Sequence, residues 1–598
     1  MRCLNAVRQG AVVSNVSNEA HENGRPDHAA GRYVSDAIVD LLANLGCRYL
    51  PLNPGASFRG LHDSLVHSTR PDAPEIILCT HEEIAVAASH AYAKAIGDVA
   101  YSLVHDLVGL QHASMAVYDA WCDVTPMVIL GGGGPIDPAR RRPVDWFHSA
   151  NTQSQLVRPF VKWDSDPTTA QGTLDAIVHA RRVAGSAPQG PVYVTIDAAV
   201  QEDPEPTGLD TNPTDLRYAP VFVPLETDVQ DAARRLAEAK LPLIIAGRVG
   251  ADSRCTPLLV ELMELLAAPG RDERNHSALP TEHPLCINGD RTIARESDVI
   301  LAVDLHDMRR TLENRVPGRT VIDLSMNTLL ERPWANAASA LPLADVSLLS
   351  DPRAGLELLV NAVRTIVESE DADHMAQRDA RRASITDRVA QLREQQRAVL
   401  QQRWDETPIS IPRLIAESFA AVEQLPWLLT LRNTRSWPEG IWTFDRGGRY
   451  LGHSGGGGMG YGPGALLGGG LAARDRGEFA VGIIGDGDFM FAPGALWTAV
   501  HHEVPMLVIV NNNTTYLNDE VHQAEVARHR GRDVSRAHVG VSMAPPIIDF
   551  GALARAQGAW APEHPVTNPD DLGATLAEAV RRVQAGAVAV VDVHTAHS

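Results

Sequence analysis

Phe479-Ala480-Val481-Gly482-Ile483-Ile484 runs straight into Gly485-Asp486-Gly487. After an intervening stretch with helical character (494–502), Met506-Leu507-Val508-Ile509-Val510 runs straight into Asn511-Asn512-Asn513. Both apolar runs have the length and composition of strands buried on two faces. In a right-handed β-α-β unit, the two loops leave from the carboxyl ends of parallel strands. Asp486 and Asn513, 27 positions apart, are therefore expected side by side. A carboxylate, an amide oxygen and a backbone carbonyl form a hard-oxygen set suited to Mg²⁺ or Ca²⁺. Such an ion holds phosphates, and the Gly-rich run 455–464 lets backbone amides approach a diphosphate closely. Taken singly, an Asp in Gly-Asp-Gly or a run of Asn is an ordinary turn or cap signal. The order strand, Gly-Asp-Gly, helix, strand, Asn run is far more specific.

The same alternation extends in both directions. Over 31–200, apolar strands at 75–79, 99–104, 127–130 and 192–196 alternate with helical stretches at 34–45, 83–96 and 110–120. A second block, 221–366, has strands at 241–246, 299–303 and 321–324. Alternating strands and helices predict parallel sheets covered on both faces. The fold class expected is α/β, with three doubly wound parallel-sheet domains. The boundaries read from composition are an N-terminal extension 1–28, a first domain 29–200, a Pro- and Glu-rich linker 201–220, a middle domain 221–366, a charged connecting helix 367–407 and a third domain 408–598.

Composition narrows the function. The 598 residues are 44% hydrophobic and carry 53 basic against 74 acidic side chains, a formal charge of −21. Such a balance, without a basic stretch, argues against a nucleic-acid partner. No apolar run reaches the length of a membrane span, and 1–28 lacks the order of a signal peptide. The six cysteines are scattered, without a C-x-x-C pair, so neither zinc knuckle nor disulfide framework is indicated. A cytoplasmic enzyme is expected. Only three lysines occur, Lys94, Lys162 and Lys240. None follows a Gly-rich loop, which excludes a Walker A phosphate clamp, and no H-E-x-x-H motif is present.

The segment from Gly485-Asp486-Gly487 to Asn513 resembles the thiamine diphosphate motif of acetolactate synthase, benzoylformate decarboxylase and related 2-oxo acid enzymes. The resemblance implies that Asp486, Asn513 and the carbonyl of Thr515 bind Mg²⁺, which holds the diphosphate, with Gly485 and Gly487 at the cofactor. Gly456-Gly457-Gly458-Met459-Gly460 resembles the family's Gly-rich segment. There a bulky residue, here Met459, bends the cofactor into a V, and the Gly457 carbonyl accepts from its aminopyrimidine. The family also carries a His-Glu pair ahead of a helix with Gly-Tyr-Ala. Thr80-His81-Glu82-Glu83 ahead of Ala91-Tyr92-Ala93 matches that pattern and implies Glu82 as the acid that shares a proton with N1′. Glu83 reads as an acid favoured by the helix dipole. His105, 23 positions after Glu82, resembles the active-site histidine of benzoylformate decarboxylase. Asn53-Pro54-Gly55 resembles that enzyme's turn, with Ala56 where a serine stands. His112 reads as a helix residue outside the catalytic set, and His306 as a weaker candidate.

The chain departs from the family in places. Leu107-Val108-Gly109 stands where acetolactate synthases carry Gly-Pro-Gly, and the middle block shows no clear flavin-binding features, which leaves FAD doubtful. The residues after the Asn run, 514–519, differ from both named enzymes, so the substrate stays open. The resemblance implies a thiamine diphosphate- and Mg²⁺-dependent lyase or transferase (a decarboxylase or carboligase) that makes or breaks a C–C bond next to a carbonyl. Its substrate is expected to be a small 2-oxo acid or acyloin, and its assembly a homodimer or homotetramer. Acetolactate synthase proper is the near alternative. A non-catalytic relative is a remote one, against which the intact Glu82, Asp486 and Asn513 argue. A serine hydrolase is another: Gly452-His453-Ser454-Gly455-Gly456 fits G-x-S-x-G, but it lacks the preceding strand and following helix that motif requires.

Overall fold

The computed structural model describes residues 31–213, 218–273, 277–306, 308, 312, 318–330 and 344–597. The extension read over 1–28 and part of the linker lie outside the described residues. Three parallel sheets organise the rest. The first has the order β2-β1-β3-β4-β6-β5. Its strands are β1 (Tyr49–Leu52), β2 (Glu75–Leu78), β3 (Ala100–Val104), β4 (Met127–Gly133), β5 (Asp164–Ser165) and β6 (Pro191–Asp197). The second, β11-β10-β9-β7-β8, is built from β7 (Pro242–Ala246), β8 (Gly270–Asp272), β9 (Val299–Val303), β10 (Thr320–Ser325) and β11 (Val346–Leu349). The third runs β12-β13-β14-β15 through β12 (Trp427–Arg432), β13 (Phe479–Gly485), β14 (Met506–Asn512) and β15 (Val588–His594). The long helix Ala372–Gln402 connects the second and third units and buries only Ile385 and Val389.

β13 and β14 are buried over almost their whole length, as their unbroken apolar runs require. Their register places Ile484 opposite Val510 and Gly485 opposite Asn511, so both chains leave the sheet at the same edge.

The first and third units share one hydrophobic core. Its centre is the contact between the helices Glu82–Ile96 and Tyr461–Arg476, whose facing residues are small. A methyl on Gly464 would stand 2.5 Å from Cβ of Ala87, and one on Gly468 2.0 Å from the Ala88 carbonyl oxygen. Backbone-to-backbone packing of this kind leaves no room for larger side chains. It fixes the amino end of each helix, and those ends carry Glu82 and the Gly-rich loop.

Candidate active site

The Gly-rich loop is pinned from two directions. From the sheet side, Asp488 accepts from the amide of Gly460 at 2.7 Å and from Nδ2 of Asn433 at 2.9 Å. From the first unit, Asp119 and Asp123 press on the loop: a Cβ on Gly456 would meet Asp119 Oδ1 at 2.4 Å, and one on Gly455 would meet Asp123 Oδ1 at 2.4 Å. Gly457 stands apart from these. Its φ of +68° is the left-handed region, with open space where a side chain would go. Ser454 lies in this loop, far from the strand-to-helix elbow of a serine hydrolase, because the next helix begins only at Tyr461.

Asp486 opens the short helix after β13 and is 3% exposed. Its Oδ1 accepts from the amide of Gly487 at 2.9 Å, while Oδ2 is buried without a hydrogen-bond partner. Burial pushes this carboxyl up to about 6, against the backbone bonds that favour its charge. An orphaned carboxylate oxygen is costly unless a cation meets it. Asn513 is buried beside it at the end of β14, its Oδ1 accepting from the amide of Thr515 at 3.1 Å. Met459 closes on the same turn: its Cε would be 3.3 Å from a methyl on Gly487. Gly457, Met459, Gly485, Asp486, Gly487, Asn513 and Thr515 all line one cavity of ≈ 1180 Å³. Its far wall comes from the middle unit and includes His306. A free hard oxygen, an adjacent amide and carbonyl, and a glycine cradle fit a divalent ion and the diphosphate it would hold.

Glu82 and His105 belong to a different face. A methyl on Gly109 would stand 2.8 Å from Oε1 of Glu82 and 2.7 Å from Cβ of His105, so both flank one glycine on the first unit. Glu82 is 5% exposed and its Oε2 lies 3.1 Å from Nδ1 of His112, which stacks on His81 at 4.7 Å. Neither Glu82 nor His105 lines the cavity that holds Asp486; the lining comes from the second and third units. The single chain thus presents the two halves of the expected site on separate surfaces.

The structure adds residues the sequence reading passed over. Ser57, one place after Ala56 and within the short 3-10 turn Ala56–Phe58, has its Oγ 2.6 Å from Nδ1 of His105. The signal was a serine one place beyond the expected position. His148, from a segment without a pattern, lies 3.3 Å from the other ring nitrogen of His105. Glu83 is more than a helix-terminal acid: it is 8% exposed and faces the Gly-rich loop near Gly460. Burial first, then the charge of Asp119, pushes it up to about 8. Burial likewise pushes Asp119 up to about 7.

Comparison with known proteins identifies the class this arrangement defines. The pattern described as "Thiamine pyrophosphate enzyme, N-terminal TPP binding domain" matches residues 32–155, and "Thiamine pyrophosphate enzyme, C-terminal TPP binding domain" matches residues 433–593. Benzoylformate decarboxylase of Pseudomonas aeruginosa is 26% identical over 503 residues, covering 82% of this chain and 86% of that protein. Acetolactate synthase isozyme 3 large subunit of Escherichia coli is 25% identical over 576 residues, covering 94% of each. The solved structure of a thiamine diphosphate-dependent 4-hydroxybenzoylformate decarboxylase from Rhodococcus jostii superposes with a TM-score of 0.73 at 20% identity, over 95% of this chain and 100% of that one. The chain belongs to the thiamine diphosphate-dependent 2-oxo acid enzyme family.

Proposed function

We propose that the protein is a thiamine diphosphate- and Mg²⁺-dependent 2-oxo acid decarboxylase. The observation that carries this reading is the buried, unpartnered Oδ2 of Asp486 beside Asn513, in a cavity floored by the Gly-rich loop. Asp486, Asn513 and the Thr515 carbonyl would hold the ion, and Gly457 and Met459 would shape the cradle. When bound, thiamine diphosphate supplies the carbon nucleophile and electron sink for cleavage next to a carbonyl. Glu82, buried at a helix amino terminus, holds a proton for N1′ of the aminopyrimidine. His105, bonded to Ser57, provides the acid–base function that a decarboxylase needs to protonate its product. That histidine favours decarboxylation over acetolactate synthesis as the natural reaction.

In this reading residues 29–200 receive the aminopyrimidine and 408–598 the diphosphate, each from a different copy of the chain. The separation of Glu82 from the Asp486 cavity supports a homodimer, or a tetramer built from two of them. So do apolar side chains left exposed on both faces: Trp146 at 62% and Phe147 at 82% near His105, Phe491 at 58% and Ile547 at 56% on the third unit. Surfaces of this kind mark association sites. Among the described residues the five cysteines are buried free thiols, which suits a reducing cytoplasm, and no helix is long and apolar enough to cross a membrane. Screening 2-oxo acids for CO₂ release, with and without aldehyde acceptors and with the cofactor and Mg²⁺ supplied, tests the reading. Absence of thiamine diphosphate binding would overturn it, and acetolactate formation from pyruvate would replace it with the carboligase alternative.

A further inference from the structure

His105 has no ring nitrogen to spare. Nδ1 is 2.6 Å from Oγ of the fully buried Ser57, and Nε2 is 3.3 Å from Nδ1 of His148. The rings of the two histidines meet edge to face, with centroids 5.4 Å apart and planes at 82°. His148 is not a loosely placed surface residue. Upstream, buried Asp145 is clamped by the amide, Nε and Nη2 of Arg142 at 2.8, 3.1 and 2.8 Å. Downstream, Ser149 donates to Oδ2 of Asp106 at 2.9 Å and accepts from the amide of Gly134 at 3.0 Å. The backbone on both sides of His148 is therefore held, and its Nδ1 is aimed at His105. The other oxygen of Asp106, Oδ1, is buried without a hydrogen-bond partner and lies 3.8 Å from Nδ1 of His105.

We propose that His105 and His148 form a two-histidine proton relay whose delivering atom is Nε2 of His148, with Asp106 as the counter-ion that lets the pair carry one extra proton. The proposal rests on the decarboxylase reading. In the loaded pair, His105 is doubly protonated, donating from Nδ1 to Ser57 and from Nε2 to His148. On delivery the His148 Nε2–H bond breaks and the proton passes to the reacting carbon or oxygen of the substrate. The His105 Nε2–H bond then breaks and a His148 Nδ1–H bond forms. Both rings end neutral, one proton has moved, and Ser57 keeps its own. The charged and titratable groups facing His105 are Asp106 and Glu82, which favour its cation, and His148 and Arg142, which oppose it; burial opposes it more strongly than any of them.

The test begins with the cofactor-free protein. With ¹³Cε1-labelled histidines, the relay predicts that His105 and His148 titrate as a coupled pair, each signal responding to the same protonation steps. In His148→Gln the His105 titration should collapse to a single displaced step. In the loaded enzyme, His148→Gln should lower turnover roughly 10²-fold or more, the range for a positioned acid–base group, with thiamine diphosphate affinity unchanged. Independent titration of the two histidines, or a His148→Gln enzyme with wild-type turnover, would overturn the relay while leaving the decarboxylase reading intact. A wild-type protein that binds no thiamine diphosphate would instead overturn the underlying reading.

Discussion

Glu82 and Glu83 are neighbours in sequence whose carboxyls reach successive turns of one helix, Leu107–Cys122. Oε2 of Glu82 lies 3.1 Å from Nδ1 of His112, whereas Oε2 of Glu83 accepts from the amide of Ala116 at 3.3 Å and its Oε1 faces Gly460 of the Gly-rich loop. This division separates their roles. Glu82→Gln should leave the fold and cofactor binding intact but slow exchange of the thiazolium C2 proton by about 10²-fold or more, because an amide cannot share a proton with N1′. Glu83→Gln should retain wild-type exchange, since the wild-type carboxyl, raised to about 8, is already neutral at pH 7. C2 exchange followed by NMR on both variants checks the ranking, and the reverse order would mean that the wrong glutamate was assigned.

Glu83 should also shape the pH dependence of stability. Its carboxyl is raised from 4.5 to about 8 in the folded state, so the folded protein binds more protons than the unfolded chain between those values. Stability then falls as pH rises through this window and levels off above it. Asp119, raised to about 7, adds a loss in the same direction that ends lower. Urea unfolding at pH 6 and pH 9 should show a smaller difference for Glu83→Gln than for the wild type. Equal differences would show that Glu83 is not the group responsible.

The ion-binding reading makes a direct demand on Asp486. Asp486→Ala removes a charged ligand and should abolish retention of thiamine diphosphate through gel filtration, with the far-UV spectrum unchanged. Asn513→Ala removes a neutral ligand and should weaken retention less. Chelation with EDTA should release the cofactor from the wild type, and Mg²⁺ should restore it. Equal affinity of both variants and the parent for thiamine diphosphate would remove these residues from the site.

Neighbouring glycines of the loop should respond to different degrees and for different reasons. At Gly457 a side chain meets open space but must adopt a φ of +68°, so Gly457→Ala should cost only about 1 kcal/mol. At Gly456 the added methyl would stand 2.4 Å from Asp119 Oδ1, and the loop must lift from its seat. Gly456→Ala should therefore lose cofactor affinity as well as stability, which calorimetric titration and thermal melting separate.

The sequence was most legible where one strand or motif carried its own signal. β13, β14 and β9 stand within two residues of their apolar runs, and Asp486 and Asn513 follow the paired ends of β13 and β14 and line one cavity. β1 was missed because Pro51 interrupts a four-residue strand, and β5 because it is two residues long and polar. The helix Tyr461–Arg476 was hidden by its glycines, which argue against a helix locally. They are tolerated because Gly464 and Gly468 let it lie against the helix bearing Glu82. The same limit applies at the site. Nothing local marks His148, and Ser57 and Glu83 show locally only a displaced serine and a second helix-terminal acid, since each owes its position to a partner 30 or more residues away.

The assembly can be tested with the two halves of the site as markers. If Glu82 of one subunit serves the Asp486 cavity of the other, a Glu82→Gln chain and an Asp486→Ala chain fail for different reasons and can rescue each other. In a mixed dimer, the site that combines Glu82 of the Asp486→Ala chain with Asp486 of the Glu82→Gln chain is intact, and the other is doubly impaired. Random pairing makes half the dimers mixed, each with half its sites restored, so co-refolding equal amounts should return about a quarter of wild-type activity. Each variant refolded alone should stay inactive. Were both functions drawn from one chain, every site in the mixture would lack one group, and no activity would return. Tagging the two chains differently and isolating dimers that carry both tags confirms that mixed pairing has occurred, so a silent sample of mixed dimers would count against the shared site rather than against association.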